Sequence, residues 1–292
     1  MFDQLFDLFP LQELLDWKAL TYIILGAVLL TIFKSINCLF SGYDLNIELT
    51  QKDNKAIAVS FSGFILAILI VIYGILSSSS GFDSTWTNDL LSTTIWSVIG
   101  CIYLLSARIV NDKLILPKFS NTKELAEDRN IGVGAVQAGS YIATALIIKA
   151  TLTGPDALSL GQEITLTIIW FVITQALLIG FTYAYQMITK YDLHGELRND
   201  NAAAGVALGG NLIAFSLLLA FYIGSYDSIL GLIIWSIISI ILLFAVRIIV
   251  DKTLLPKQNL DKEIANDHNW GAGTIEAVTA IGAALIISGS FS

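Results

Sequence analysis

Four carboxylates and four amides recur along this chain at nearly fixed spacing. Glu48, Glu124, Glu196 and Glu263 are followed by Asn54, Asn130, Asn201 and Asn269. The separation is six residues in the first, second and fourth copies and five in the third. An apolar span starts directly after each asparagine. These groups suit several kinds of chemistry. An asparagine at a helix start accepts from free backbone N–H groups, and a preceding acid suits the positive end of the helix dipole. The same groups could instead line a polar vestibule, since rings of acids select cations. A surface that docks a partner is the third option.

A fifth carboxylate stands inside a span. Glu276 lies seven residues after Asn269, which is about 10 Å along a helix. A charge at mid-span costs roughly 2.5–3.5 kcal/mol on insertion scales, so such groups face a partner or a water path. Glu276 is therefore either a structural acid, protonated or paired with Arg247, or a site for a proton or cation. Gln137 holds the equivalent place after Asn130 and keeps the hydrogen bonding without the titration. Arg108 and Arg247 stand just inside the ends of two other spans. Arginines there snorkel to the interface or pair with a buried or corner acid.

The remaining reactive types carry less. His194 and His268 fall in loops without metal-ligand spacing, and His268 reads as a solvated loop histidine. Cys38 and Cys101 lie inside spans and read as small apolar residues. There is no glycine-rich phosphate loop and no Ser/His/Asp set on one side. No enzyme, metal site or cofactor is expected. The charge of −8 and the lack of polar sequence exclude a nucleic-acid partner.

The elements that position these groups are membrane helices. Hydrophobic residues make up 55% and charged residues 14% of the 292 positions, where a soluble domain carries roughly 25% charged residues. A helix of about 20 residues crosses a hydrocarbon core of about 30 Å. Eight stretches qualify, near 20–41, 56–77, 90–110, 131–149, 164–188, 202–223, 228–250 and 270–289. In lipid each span must satisfy its own backbone, which selects helices. Residues 1–18 carry Asp3, Asp7, Glu13 and Asp16 and lack a signal-peptide pattern. Their Phe and Leu residues suggest a short interfacial helix.

All four corners follow odd-numbered spans and so share one side. That side, with the helix ends facing it, holds 14 of the 16 basic residues, leaving only Lys18 and Lys149 opposite. The positive-inside rule predicts cytoplasmic corners and both termini outside. Trp17, Trp86, Trp96, Trp170 and Trp235 cluster towards the outer boundary as an aromatic belt, with Trp270 at the inner one.

The chain reads as a tandem duplication. Arg108, Asp112-Lys113 and Leu116-Pro117-Lys118 match Arg247, Asp251-Lys252 and Leu255-Pro256-Lys257. The expected architecture is all-α and integral to the membrane, with eight transmembrane helices as two parallel four-helix repeats, 19–152 and 160–290. Counting from each asparagine, the second, fourth and eighth residues are small: Ala56, Ala58, Ser62; Gly132, Gly134, Ala138; Ala203, Gly205, Gly209; Gly271, Gly273, Ala277. Small residues four apart let helix backbones approach closely. The even-numbered helices should be the inner ones, with Gly134, Gly205, Gly209 and Gly273 at contacts.

The pattern of an acid, then an asparagine with small residues following, in a four-helix unit, resembles the YjfL family of bacterial inner-membrane proteins. That family is built of such units, single or doubled, and the resemblance covers nearly the whole chain after residue 18. It implies a bacterial inner-membrane location and a setting among envelope-stress and membrane-remodelling proteins, without an activity. Two functions fit. One is a small-cation or proton path lined by Glu276, Gln137, Arg247, Arg108 and the corners. The other is a non-transporting scaffold whose corners dock a cytoplasmic envelope-stress partner. The partners expected are the lipid bilayer, further copies of the chain in a homo-oligomer, and that cytoplasmic protein.

Overall fold

A computed structural model describes residues 17–78, 86–117, 120–152, 160–255 and 258–291. The expected interfacial helix lies almost wholly outside these residues, as do Lys118, Pro256 and Lys257. The long helices are α1 (Trp17–Ser41), α3 (Lys55–Ser78), α4 (Trp86–Val110), α6 (Ile131–Thr151), α7 (Leu160–Ile188), α9 (Ala202–Ser225), α10 (Ile229–Ile249) and α12 (Trp270–Ser290). All eight are long and apolar enough to cross a membrane.

Where the sequence suggests plain loops, the structure forms four six-residue helices. They are α2 (Leu45–Thr50), α5 (Asn121–Ala126), α8 (Leu193–Arg198) and α11 (Leu260–Ala265). Three begin at a side-chain cap. Asp44 accepts from the N–H groups of Asn46 and Ile47, Ser120 from Lys123, and Asn259 from Lys262. Each short helix buries an aliphatic residue, Leu45, Leu125, Leu197 or Ile264. That burial, with the cap, offsets the unfavourable nucleation of so short a helix.

The third and seventh spans also end differently from expectation. α4 and α10 each run on into one π-helical turn, Asn111–Ile115 and Val250–Leu254. The turns are tied to the following short helices. Asp112 accepts from Asn121 Nδ2 at 2.6 Å, and Asp251 from the Leu260 N–H at 2.7 Å.

α3, α6, α9 and α12 pack side by side in chain order, with the other long helices against the flanks. The middle members, α6 and α9, are the most deeply buried spans. The reason is visible at each interface in the row. A Cβ built on Gly134, Gly205 or Gly273 would stand closer than 3.0 Å to the carbonyl oxygen of Ala56, Gly132 or Ala203 on the preceding row helix. About one turn deeper, a Cβ on Gly63, Gly139 or Gly210 would meet the Cα of Ala138, Gly209 or Ala277 on the following one. Backbone therefore lies on backbone, and dispersion over that surface replaces the hydrophobic drive that lipid cannot supply.

Candidate functional site

The corners are built the same way four times. The residue before each asparagine, Asp53, Arg129, Asp200 or His268, takes a left-handed φ of 47–57°. That turns the chain from the short helix into the row helix. The asparagine N–H then donates to the carbonyl of its own acid at 2.8–3.0 Å. The third corner, with its deleted residue, keeps this bond at 3.0 Å between Asn201 and Glu196. The deletion is taken up within the turn.

The asparagine side chains use both ends of the amide. Each Oδ1 caps its helix, accepting from Ile57, Val133, Ala204 or Ala272 at 2.9–3.3 Å. Each Nδ2 donates to the acid of its own corner, Glu48, Glu124, Glu196 or Glu263, at 2.7–3.1 Å. In three corners Nδ2 donates once more, to the next corner's short helix. Asn54 reaches the Leu125 carbonyl at 2.8 Å, Asn130 that of Leu197, and Asn201 that of Ile264 at 2.7 Å. Asn54, Asn130 and Asn201 are buried, while Asn269, at the end of the row, is exposed.

The corner asparagines are thus caps and fasteners, each also holding the acid of its own corner. Glu48 and Glu124 are buried. Burial pushes the Glu48 carboxyl up, but hydrogen bonds from Lys52 and Asn54 outweigh it and hold the group below its usual value. The cross-corner bond was legible only as a choice of residue type. Serine or aspartate caps a helix as well as asparagine does. Only the amide also donates.

The buried charges meet in the second half. Arg247 Nη1 forms an ion pair with Glu276 Oε1 inside the helix bundle. Arg247 Nη2 reaches Asp261 at 2.6 Å, towards the corner face. Tyr185 donates to Glu276 at 2.9 Å and Asn211 does so at 3.1 Å. Arg247 Nη1 also lies 3.3 Å from the Tyr185 hydroxyl. Glu276 Oε2 is buried without a hydrogen-bond partner among the described residues. Tyr185, Asn211 and Asp261 were not singled out from sequence, because each is an ordinary residue until the fold gathers it.

The first half differs. Gln137 accepts from the Ser60 hydroxyl, and Arg108 lies elsewhere, with Asn37 at 3.1 Å and Asp112 at 4.0 Å. Arg108 therefore does not share a cluster with Gln137. His194 departs from the loop reading. It is buried on α8, its Nε2 3.1 Å from the Ile115 carbonyl. His268 is half exposed and sits 3.5 Å from Glu196. Cys101 is buried in an apolar cluster with Leu104 and Phe64, and Cys38 is partly buried. Trp235 donates into the bundle, to the Leu218 carbonyl at 2.8 Å.

Together these features define a polytopic helical membrane protein with a polar network at one end of a tightly packed row. The chain belongs to the family described as Domain of Unknown Function DUF350, whose model matches it twice, at residues 8–152 and 159–291. It is similar to the UPF0719 transmembrane protein of Aquifex aeolicus (strain VF5), at 22% identity over 82% of this chain and 87% of that one. It is also similar to the UPF0719 transmembrane protein YshE of Bacillus subtilis (strain 168), at 25% identity over 38% of this chain and 81% of that protein. No solved structure matches.

Proposed function

We propose that this protein is a non-transporting membrane scaffold. Its corner face, cytoplasmic by the positive-inside rule, holds the four short helices in fixed register for a soluble partner. The observation that carries the reading is the Arg247 guanidinium seated on Glu276. A carboxylate already neutralised inside the bundle has little to offer a passing cation, and opening the pair in lipid is costly. The crevice beside it, lined by Phe181, Tyr185, Asn211, Leu243, Phe244 and Arg247, has a volume of about 10 Å³. That is room for about one water molecule at most. The cross-corner bonds support the same reading, because they fix one short helix relative to the next.

One observation favours the alternative of a proton or cation path: the buried, unpartnered Oε2 of Glu276. The two readings separate in proteoliposomes. The scaffold predicts proton, sodium and potassium uptake no faster than in protein-free vesicles. Uptake by the parent protein that is lost in Glu276→Gln would overturn it in favour of the path.

A further inference from the structure

The row of four helices uses one lateral contact three times, and both of its ends carry residues that the contact does not admit. On the leading face of α3, α6 and α9, the ninth residue after the asparagine is Gly63, Gly139 or Gly210. A Cβ at any of them would lie closer than 3.0 Å to the next helix. On α12 the same position is Val278, which is 63% exposed. On the trailing face of α6, α9 and α12, the fourth residue is Gly134, Gly205 or Gly273, each against a carbonyl of the preceding helix. On α3 that position is Ala58. A second copy docking its α3 onto α12 would therefore clash twice, at Val278 and at Ala58.

A head-to-tail contact of this kind continues as a ring or an open filament unless something stops it. Repeat arrays end in units whose outer face differs from the inner ones. We propose that Ala58 and Val278 terminate the row at four helices, and that lipid acyl chains, not another copy of this chain, cover the two end faces. The chemistry of the α12 face agrees. Ile275, Val278, Leu285 and Ile286 are exposed along it, and Trp270 stands 59% exposed at the end of the span. An apolar stripe with an indole at its edge is what a bilayer and its headgroup region accept.

The proposal is independent of whether the protein transports anything. It is tested with the full chain in detergent and in lipid nanodiscs. Native mass spectrometry of the wild type should give one discrete mass at all concentrations. Ala58→Gly/Val278→Gly should give a series of multiples that lengthens with concentration. An open-ended series from the wild type would overturn the proposal, and so would a double variant with the mass of the wild type. The second measurement does not depend on how the glycine variant folds. A nitroxide at Val278→Cys, in a background with Cys38→Ser and Cys101→Ala, should be as accessible to oxygen as one at Ile286→Cys. A label at 278 sheltered from oxygen would mean that protein covers this face, and would likewise overturn the proposal.

Discussion

Glu276 and Arg247 are paired, but they depend on each other unequally. Arg247 has a second carboxylate, Asp261, so it keeps an ionic partner when Glu276 is neutralised. Among the described residues, Glu276 keeps only the Tyr185 hydroxyl and the Asn211 amide once the guanidinium is gone. Leaving a buried charge alone costs about 3–5 kcal/mol, whereas losing a hydrogen bond to a charged group costs about 1.5–3 kcal/mol. Arg247→Met should therefore destabilise the protein more than Glu276→Gln, and the double variant should recover part of the Arg247→Met loss. Thermal unfolding in detergent reads the order. Equal losses from the two single variants would show that the pair is not the source of the stability. Much of this was legible in the sequence, because an acid and an arginine within apolar spans need partners. The first half shows the limit. Arg108 and Gln137 occupy matching positions in sequence yet have separate partners, since Asn37 stands beside Arg108.

At the scale of elements, the asparagine-capped helix and its glycine faces form the working unit. Gly205→Ala places a methyl group against the Gly132 carbonyl, with backbone on both sides. Overpacking of this kind costs typically about 1–3 kcal/mol. Gly282 has nothing within 4 Å of its built Cβ, so Gly282→Ala should be neutral or stabilising by up to about 1 kcal/mol. Equal melting points for these two variants would contradict the backbone-on-backbone packing. The corners give a parallel test. Asn130→Asp keeps the cap on Val133 but loses the donor to the Leu197 carbonyl and faces Glu124 with a second carboxylate. The Leu197 carbonyl keeps the Asp200 N–H, so the loss is that of the hydrogen bond to the charged Glu124, about 1.5–3 kcal/mol. Asn269→Asp should cost less, because Asn269 is exposed and, among the described residues, its Nδ2 donates to Glu263 alone. Among the small residues at the second, fourth and eighth positions, Gly134, Gly205, Gly209 and Gly273 were readable as contact sites and meet backbone of the neighbouring helix, whereas Ser62 and Gly271, at the ends of the row, are exposed. The ninth-position glycines and the cross-corner bonds were not readable, because each depends on which helix lies alongside.

Over the whole molecule, charge predicts orientation while the packing stays silent about it. With 14 of the 16 basic residues on the corner side, both termini should lie outside and the corners inside. Lys123 is exposed on α5. Lys123→Cys, in a background without Cys38 and Cys101, should resist an impermeant thiol reagent in intact cells and react once the membrane is opened. Labelling in intact cells would reverse the orientation. The eight spans were legible from length and hydropathy alone. The short helices and π turns at the corner face were not, since they depend on caps and on bonds between Asp112 or Asp251 and the following segment.

A scaffold that transports nothing keeps its row closed to water beyond the Glu276 pair. Ala277, Ala280 and Ala284 are buried along α12 from Glu276 towards the far face. Each is changed to cysteine in turn in the cysteine-free background and exposed in proteoliposomes to a charged thiol reagent from either side. Ala280→Cys and Ala284→Cys should stay unmodified from both sides. Modification of either one from the far face, blocked by a permeant cation, would contradict the scaffold and establish a path.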